Sequence, residues 1–519
     1  MEKTLISLEE LQQEIKELEA KGEAIPKSKL KKLQKMELQL EKKQEQQKIR
    51  EEKEERERKE KEKKQEEFIM TKPKSDFPLY IQFKQIPKEA DIPITIKACV
   101  ESVDSLGFIV LTDTSSTIQV VLSKELKKTK DFERIRTYTS MQVWGTWMKD
   151  ERAERGTIKG YELHVEYFEI LGDSYPEASS LLAPDSDRKV MMDLRHLSVR
   201  LPWHQDVMRF TSTLKATISQ YYADYGFYQV STPTIVGPLQ AEGGGEIFKI
   251  DYFGQDAFLS QSGQLYLELM VPAIGKVWTD RPSFRAEASR TPRHLTEYTH
   301  IEAEIPWCSF EDLLQELEKM FKILAFKMKK FEFKSLSPEQ VEHFKKTISL
   351  IEGDWVRMDY SDAIEFCKEH QIYKDEEAKT FFEHGEDITS APERKMIDMI
   401  GKPVFLCHFP KEFKAFYMTR YGDKLQYTES VDVLFPGCGE IVGASTRISD
   451  FDTLVQAAKD AGCYYDGIED SYYFQLRKLG SMHTAGYGIG FERLVMALLS
   501  LESIRDACVV PRYVDRITP

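Results

Sequence analysis

Residues Phe284 to Glu304 read FRAEASRTPRHLTEYTHIEAE. Two runs with strand character flank a loop, Ser289 to Thr296, that carries Arg290, Arg293 and His294. Strand side chains repeat every two residues, so Arg285 and Glu287 project to one side. A guanidinium held on a strand is a fork matched to a phosphate, and a basic loop beside it suits a pyrophosphate tail. A surface hairpin laced with salt bridges is the plainer reading. It does not need so many Arg, His and Glu among so few spacers.

Further along, Gly486 to Leu499 read GYGIGFERLVMALL. Gly486, Gly488 and Gly490 alternate with period two and predict a strand with one bare face, against which a flat ring such as adenine can lie. Arg493 follows at the start of a predicted helix, placed to cover a nucleotide by cation–π contact. The spacing is not that of the dinucleotide fingerprint, whose glycines turn a strand into a helix. Close strand packing alone also explains a GxGxG. Thr428 to Arg447 (TESVDVLFPGCGEIVGASTR) places Asp432 and Glu440 among apolar and small residues. Such carboxylates need a partner, either Mg²⁺ bridging phosphates or backbone N–H groups in turns. Arg447, ending the run, needs an acceptor.

Outward from these stretches the chain divides. Its 519 residues suggest about three folding units. Residues 1 to 67 hold no aromatic residue and balance 19 Lys/Arg against 19 Asp/Glu, so the rest carries the whole net charge of −14. That balance argues against a uniformly basic nucleic-acid wrapper. Lys29 to Arg50 nevertheless carries eight basic and three acidic residues. Residues 1–70 are therefore expected to be a charged helical, partly disordered extension, either solvated or adding phosphate contacts to RNA. From 78 to 175, five short strand-like runs (ITIKACVESV, GFIVLTD, TIQVVLS, MQVWGTWMK, YELHVEYFEIL), with a helical stretch from Lys124 to Ile135, suggest a small barrel of OB type. Phe108 and Gln119 sit on its second and third runs as candidates for meeting single-stranded nucleic acid, although an aromatic there also serves as core. From 185 to 519 the pattern is mixed α/β, with an amphipathic helix over His204 to Tyr225 and a helical insertion about 308–400. Seven scattered Cys with no CxxC pair fit a reducing compartment. No uninterrupted apolar stretch suggests a leader or a bilayer span, and a soluble cytoplasmic protein is expected.

Taken together, FRAE…RHLTEYTHIEAE, GYGIGFERL and the long helix running to Val230-Ser231-Thr232-Pro233 resemble the motifs of class II aminoacyl-tRNA synthetases. With an N-terminal OB barrel, the chain resembles the subclass charging aspartate, asparagine or lysine. The resemblance implies an antiparallel sheet flanked by helices, ATP as substrate, Mg²⁺, tRNA as partner and a homodimer with Pro233 at its interface. It implies that Arg285 holds the α-phosphate, that Glu287 and Tyr298 border the adenine, and that Arg293, His294, Leu295 and Glu297 belong to the ATP-side loop. Gly490 and Arg493 complete the nucleotide site, and Arg285, Glu287 and Arg493 are the catalytic set. Asp432 and Glu440 would hold the metal, Phe108 and Gln119 would read the anticodon, and Glu242, Gln264 and Arg447 would meet the amino acid.

The amino acid itself is read from charge. Aspartyl members carry a QSPQLFK-like segment whose Lys meets the substrate carboxylate. Here the segment is QSGQLYLE, with Leu267 at that position and Glu268 after it. Loss of the cation and gain of an acceptor favour a carboxamide, and TESVDVLFPGCGEIVGAS also resembles the asparaginyl pattern. Asparagine is therefore the expected substrate. An aspartate-charging enzyme, a non-catalytic RNA-binding paralogue and an amide-forming relative are the alternatives. The usual Pro-His-(Gly/Ala)-Gly is here Met482-His483-Thr484-Ala485-Gly486, which leaves the role of His483 open.

Overall fold

A computed structural model describes residues 31, 53, 55, 70–74, 77–104, 108–183, 185–239, 247–480 and 482–519. Apart from its few described positions, the expected extension lies outside these residues, as does Glu242. The chain forms two compact units, Met1–Ala183 and Pro184–Pro519.

In the first unit, strands β1 (Leu79–Tyr80), β2 (Ile92–Val103), β3 (Ile109–Thr112), β4 (Thr117–Leu122), β5 (Ser140–Lys149) and β6 (Tyr161–Gly172) run in the order β1-β2-β3-β4-β6-β5. An antiparallel β2–β5 pairing closes the sheet into a barrel. Alternation fills it: Ile94, Ile96, Ile109, Leu111, Ile118, Val120, Val143 and Leu163 are buried inside. All five predicted runs are strands. The expected helix over Lys124–Ile135 is instead two 3-10 turns, Leu126–Lys128 and Lys130–Arg134, because Thr129 interrupts the helix and caps the second turn through its hydroxyl.

In the second unit, α1 (Pro202–Asp224) is followed by β7 (Tyr228–Gln229) and a small sheet of β8 (Ile235–Val236), β9 (Lys249–Tyr252) and β10 (Gln255–Leu259). Next come α2 (Gln264–Ile274), β11 (Val277–Phe284), β12 (Glu297–Pro306), α3 (Phe310–Met328) and α4 (Pro338–Glu352). Then follow β13 (Val356–Asp359), α5 (Tyr360–Glu369), α6 (Ser390–Ile400), β14 (Val404–Cys407), the hairpin β15 (Arg420–Tyr421) with β16 (Tyr427–Thr428), β17 (Ser430–Phe435) and β18 (Gly439–Thr446). The chain ends with α7 (Phe451–Asp460), β19 (Thr484–Gly490) and α8 (Phe491–Leu499). Eight strands form the main sheet, in the order β13-β14-β17-β18-β19-β12-β11-β7. Its centre is antiparallel, as expected, and only its two edge pairs, β13–β14 and β11–β7, run parallel.

One face of this sheet is apolar. Ile301, Ala303, Ile305, Tyr487 and Ile489 bury against α1, α3 and α8 in the largest core. The helical insertion expected over 308–400 is divided between two cores. Leu313, Leu317, Met320, Phe321 and Leu324 put α3 into the largest core, and β13 extends the sheet itself. Beyond β13 the segment is helix-rich with a core of its own, in which Ile364 and Cys367 of α5 and Met396 and Ile397 of α6 pack against Val404 and Leu406 of β14.

Candidate active site

The opposite face of the sheet carries the polar residues, and the register shows why. Residues directly opposite on paired strands share a face. On β12, His300 faces Gly490, Glu302 faces Gly488 and Glu304 faces Gly486. On the far side of β19, Gly443 faces Gly488 and Asp432 faces Gly443. A continuous polar surface therefore runs from Tyr298, His300, Glu302 and Glu304 across glycines to Asp432. It floors a cavity of about 1190 Å³ lined by Gln264, Arg285, Glu287, Arg293, His294, Leu295, Tyr298, Asp432, Glu440, Arg447, Gly490 and Arg493, among others. Residues distant in sequence but named as candidates thus meet in one cavity.

At the Arg493 end of the cavity, the Arg285 guanidinium lies 3.9 Å from Glu287 and 5.8 Å from the Tyr298 ring centroid. Arg493 begins α8 and donates to Glu440 Oε2 at 3.0 Å. Arg293 donates to the Cys438 carbonyl, and His294 Nδ1 meets the Ser289 hydroxyl at 3.0 Å. Burial, with Arg493, Arg285 and Arg293 nearby, depresses the His294 pKa. Leu295 is buried and fixes the loop to the core, while Glu297 pairs with Arg512 in an isolated bridge.

The expected bare glycine face is partly covered. A Cβ on Gly486 would overlap the Glu304 carboxylate and the Ala303 carbonyl, and one on Gly488 would overlap the His300 ring. Only at Gly490 is the nearest neighbour the Arg493 stem, at 3.6 Å. The first two glycines therefore make room for side chains of this chain, and the third borders the open space beside Arg493.

At the other end, Arg447 donates from Nε to Glu304 Oε1 at 3.0 Å and from Nη2 to the same oxygen. Glu268 does not line the cavity. Its carboxylate accepts from Arg477 Nη2 at 2.5 Å, the Tyr473 hydroxyl at 3.0 Å and Gln264 Nε2 at 2.9 Å, and it lies 3.8 Å from Arg447 Nε. Gln264 is the cavity-lining member of that set. Leu267 is buried with Val271 and Val277, so no polar group replaces the missing cation. Several residues here were not foreseen: Glu302, which accepts from the Ser262 hydroxyl and the Gly263 N–H, and Glu304, Lys414, Tyr473 and Arg477. Period two along THIEAE was the signal that would have put Glu302 and Glu304 on the Arg285 side. His483 does not line the cavity; its carbonyl accepts from the Trp307 N–H at 2.6 Å.

The carboxylates expected to hold a metal converge. A Cβ on Gly443 would lie 3.6 Å from Glu440 Oε1 and 3.9 Å from Asp432 Oδ1. Lys414 Nζ contacts both oxygens of Asp432, at 2.9 and 2.7 Å. Even so, burial raises the Asp432 pKa to about 6, with Glu440 adding to the rise against Lys414. Glu393 is likewise raised to about 8 by burial and by Glu440 and Asp432. Lys414 already balances Asp432 and Arg493 already balances Glu440, so the negative charge is not in surplus; as hard oxygen donors the two carboxylates still fit Mg²⁺, which takes one or two carboxylates from a protein and completes its shell with phosphate and water.

In the barrel, Phe108 precedes β3, and the Arg155 guanidinium lies 3.9 Å over its ring. Gln119 is 5% exposed on β4 and donates to Glu162 at 2.7 Å. Ile118 and Val120 point into the barrel, so by alternation Gln119 lies on its outer face opposite Val110, and the half-buried Phe108 stands just before β3.

Residues 187–514 match the family described as tRNA synthetases class II (D, K and N), and the chain belongs to that family. It is 39% identical over 419 residues to the cytoplasmic asparagine--tRNA ligase of Homo sapiens, covering 80% of this chain and 74% of the human one. The corresponding figures for the Saccharomyces cerevisiae cytoplasmic asparagine--tRNA ligase are 38% over 422 residues, 79% and 73%. Among solved structures, asparaginyl-tRNA synthetase from Pyrococcus horikoshii complexed with asparaginyl-adenylate superposes with a TM-score of 0.76 at 30% identity, over 84% of this chain and 99% of that one. The Entamoeba histolytica asparaginyl-tRNA synthetase gives 0.75 at 34%, over 86% and 100%.

Proposed function

We propose that this synthetase joins asparagine to its tRNA in two steps. The asparagine α-carboxylate attacks the α-phosphorus of ATP, forming asparaginyl-adenylate and releasing pyrophosphate. A terminal ribose hydroxyl of the tRNA then attacks the acyl carbon, giving the ester and releasing AMP. Neither step needs a nucleophilic side chain, so the chain contributes positioning and charge. Arg285 takes the α-phosphate, where negative charge concentrates in the transition state. Arg493, Arg293 and His294 take the pyrophosphate side, Glu287 and Tyr298 border the adenine, and Gly490 leaves room for it. Mg²⁺ on Asp432 and Glu440 would supply charge neutralisation of the phosphates. Gln264 and Glu242 serve the amino group, and Arg447 the side-chain oxygen. Phe108 and Gln119 serve the anticodon, and a homodimer through the Pro233 region agrees with the exposed Tyr228 and Ile235 on either side of it in sequence. The printed names of the relatives also favour a cytoplasmic enzyme.

The observation that carries this reading is the meeting of Arg285, Arg493, Glu440, Asp432 and Arg447 in one cavity of a chain so similar to asparagine ligases. ATP–pyrophosphate exchange tests it: asparagine should drive exchange far better than aspartate. A preference for aspartate, or no exchange with either, overturns it.

A further inference from the structure

Arg447 is the cation that the proposed function gives to the substrate side chain, yet this chain already spends it on a carboxylate. Its Nε and Nη2 both donate to Glu304 Oε1. The neighbouring Glu268 has a cation of its own in Arg477, with Tyr473 and Gln264 as further donors. Glu304 has no such reserve. It is 1% exposed, its Oε2 has no hydrogen-bond partner among the described residues, and β19 sets Gly486 opposite it. The charged and titratable groups around it include Arg447, Glu268 on α2, Glu302 on its own strand and the buried Cys308 just after that strand. Beyond them lie Tyr417, whose ring centroid is 5.3 Å from the Arg447 guanidinium, and the Arg477–Tyr473 pair that reaches Glu268.

We infer that Glu304 and the side chain of the bound amino acid compete for Arg447, so that an acidic amino acid enters only when Glu304 Oε2 carries a proton. The inference rests on the reading that Arg447 meets the substrate side chain. A carboxamide is neutral and adds no charge, so it binds with Glu304 ionised or protonated. A carboxylate would place a second anion against one guanidinium in a site shielded from water, where like charges close together raise the pKa of one of them. The proton comes from solvent and sits on the oxygen left without a donor. Burial already raises the Glu304 pKa to about 8, with Glu268 and Glu302 adding and Arg447 opposing, so the exchange of charge falls in an accessible pH range. Glu304 is thus a specificity-determining residue whose discrimination strengthens with pH.

The test is the inhibition constant of L-aspartate against asparagine-dependent ATP–pyrophosphate exchange, taken relative to the asparagine KM at each pH from 6.5 to 9.5. The α-amino groups of the two amino acids and the ATP ionisations affect both quantities and largely cancel. The aspartate side chain stays ionised throughout. The ratio should rise with pH and approach tenfold per unit once Glu304 is ionised. Glu304→Gln should flatten it, and Glu304→Asp, which keeps a titrating group, should retain the slope. Thermal melts establish that each variant is folded; should Glu304→Gln not fold, the wild-type series and Glu304→Asp decide. A flat wild-type ratio, a slope that survives in folded Glu304→Gln, or aspartate that fails to inhibit at any pH overturns the inference. Absence of asparagine-dependent exchange in the wild type would instead sink the proposed function, and it shows at a single pH.

Discussion

At the scale of residues, charge placement decides the chemistry. Arg285 lies beyond the end of β11, on the polar side of the sheet, and lines the cavity with Glu440 and Arg493. Its replacement by Ala should lower kcat/KM for asparagine-dependent exchange by a factor of 10² to 10³, corresponding to about 3–4 kcal/mol of lost charge stabilisation. Circular dichroism should stay unchanged, and activity within a few-fold of wild type would remove the assignment. Glu268 makes a subtler case. It was expected to accept the carboxamide N–H directly, but its carboxylate is already engaged by Arg477, Tyr473 and Gln264. By the proposed function, its influence on asparagine passes through Gln264, whose amide nitrogen it fixes, and through its charge beside Arg447. Glu268→Gln should reduce the asparagine-over-aspartate preference at least tenfold; full retention would show that Glu268 is not a selector. Arg285, Glu440 and Arg493 were legible because period two and isolated charges in apolar runs leave marks in sequence. Lys414 and Arg477 left none, since each acts on a partner 18 or more positions away.

Among elements, the glycine strand shows most directly how backbone makes room for chemistry. β19 lies between β12 and β18; its glycines stand opposite His300, Glu302 and Glu304 on one side, and on the other Gly488 faces Gly443 and Gly486 faces Ser445. Gly486→Ala should displace Glu304 and press on the Ala303 carbonyl. An overpacked core position typically costs about 1–3 kcal/mol, and backbone contact leaves little room to relax. A lower Tm together with a raised asparagine KM is expected, with the ATP KM changed less, because Gly490 and Arg493 lie at the other end of the strand. An unchanged asparagine KM would separate Gly486 from the amino-acid end. The strand itself was readable, whereas what covers it was not: sequence shows a missing Cβ but not which neighbour fills the gap. The same limit explains the segment 308–400. Helical periodicity identified α3 and α4, but only tertiary packing shows their apolar faces completing the main core.

For the whole molecule, the order of strands was beyond periodicity. β12 meets β19 across more than 170 positions of chain, and that antiparallel topology was available only through resemblance. The division into units has a consequence for activity. Every described residue lining the cavity falls within Pro184–Pro519, and the barrel closes on a core of its own. By the proposed function, amino-acid activation needs only Pro184–Pro519 and anticodon contact only the barrel. A fragment of residues 184–519 should therefore sustain asparagine-dependent ATP–pyrophosphate exchange within about tenfold of the full chain. Transfer to tRNA should suffer far more, with the tRNA KM raised by 10² or greater, because a set of phosphate and base contacts worth about 3 kcal/mol or more is removed. Exchange lost in a fragment that still melts cooperatively would mean that the barrel shapes the activation site. A tRNA KM left unchanged would mean that recognition rests on Pro184–Pro519 alone, and Phe108 and Gln119 would lose their proposed role.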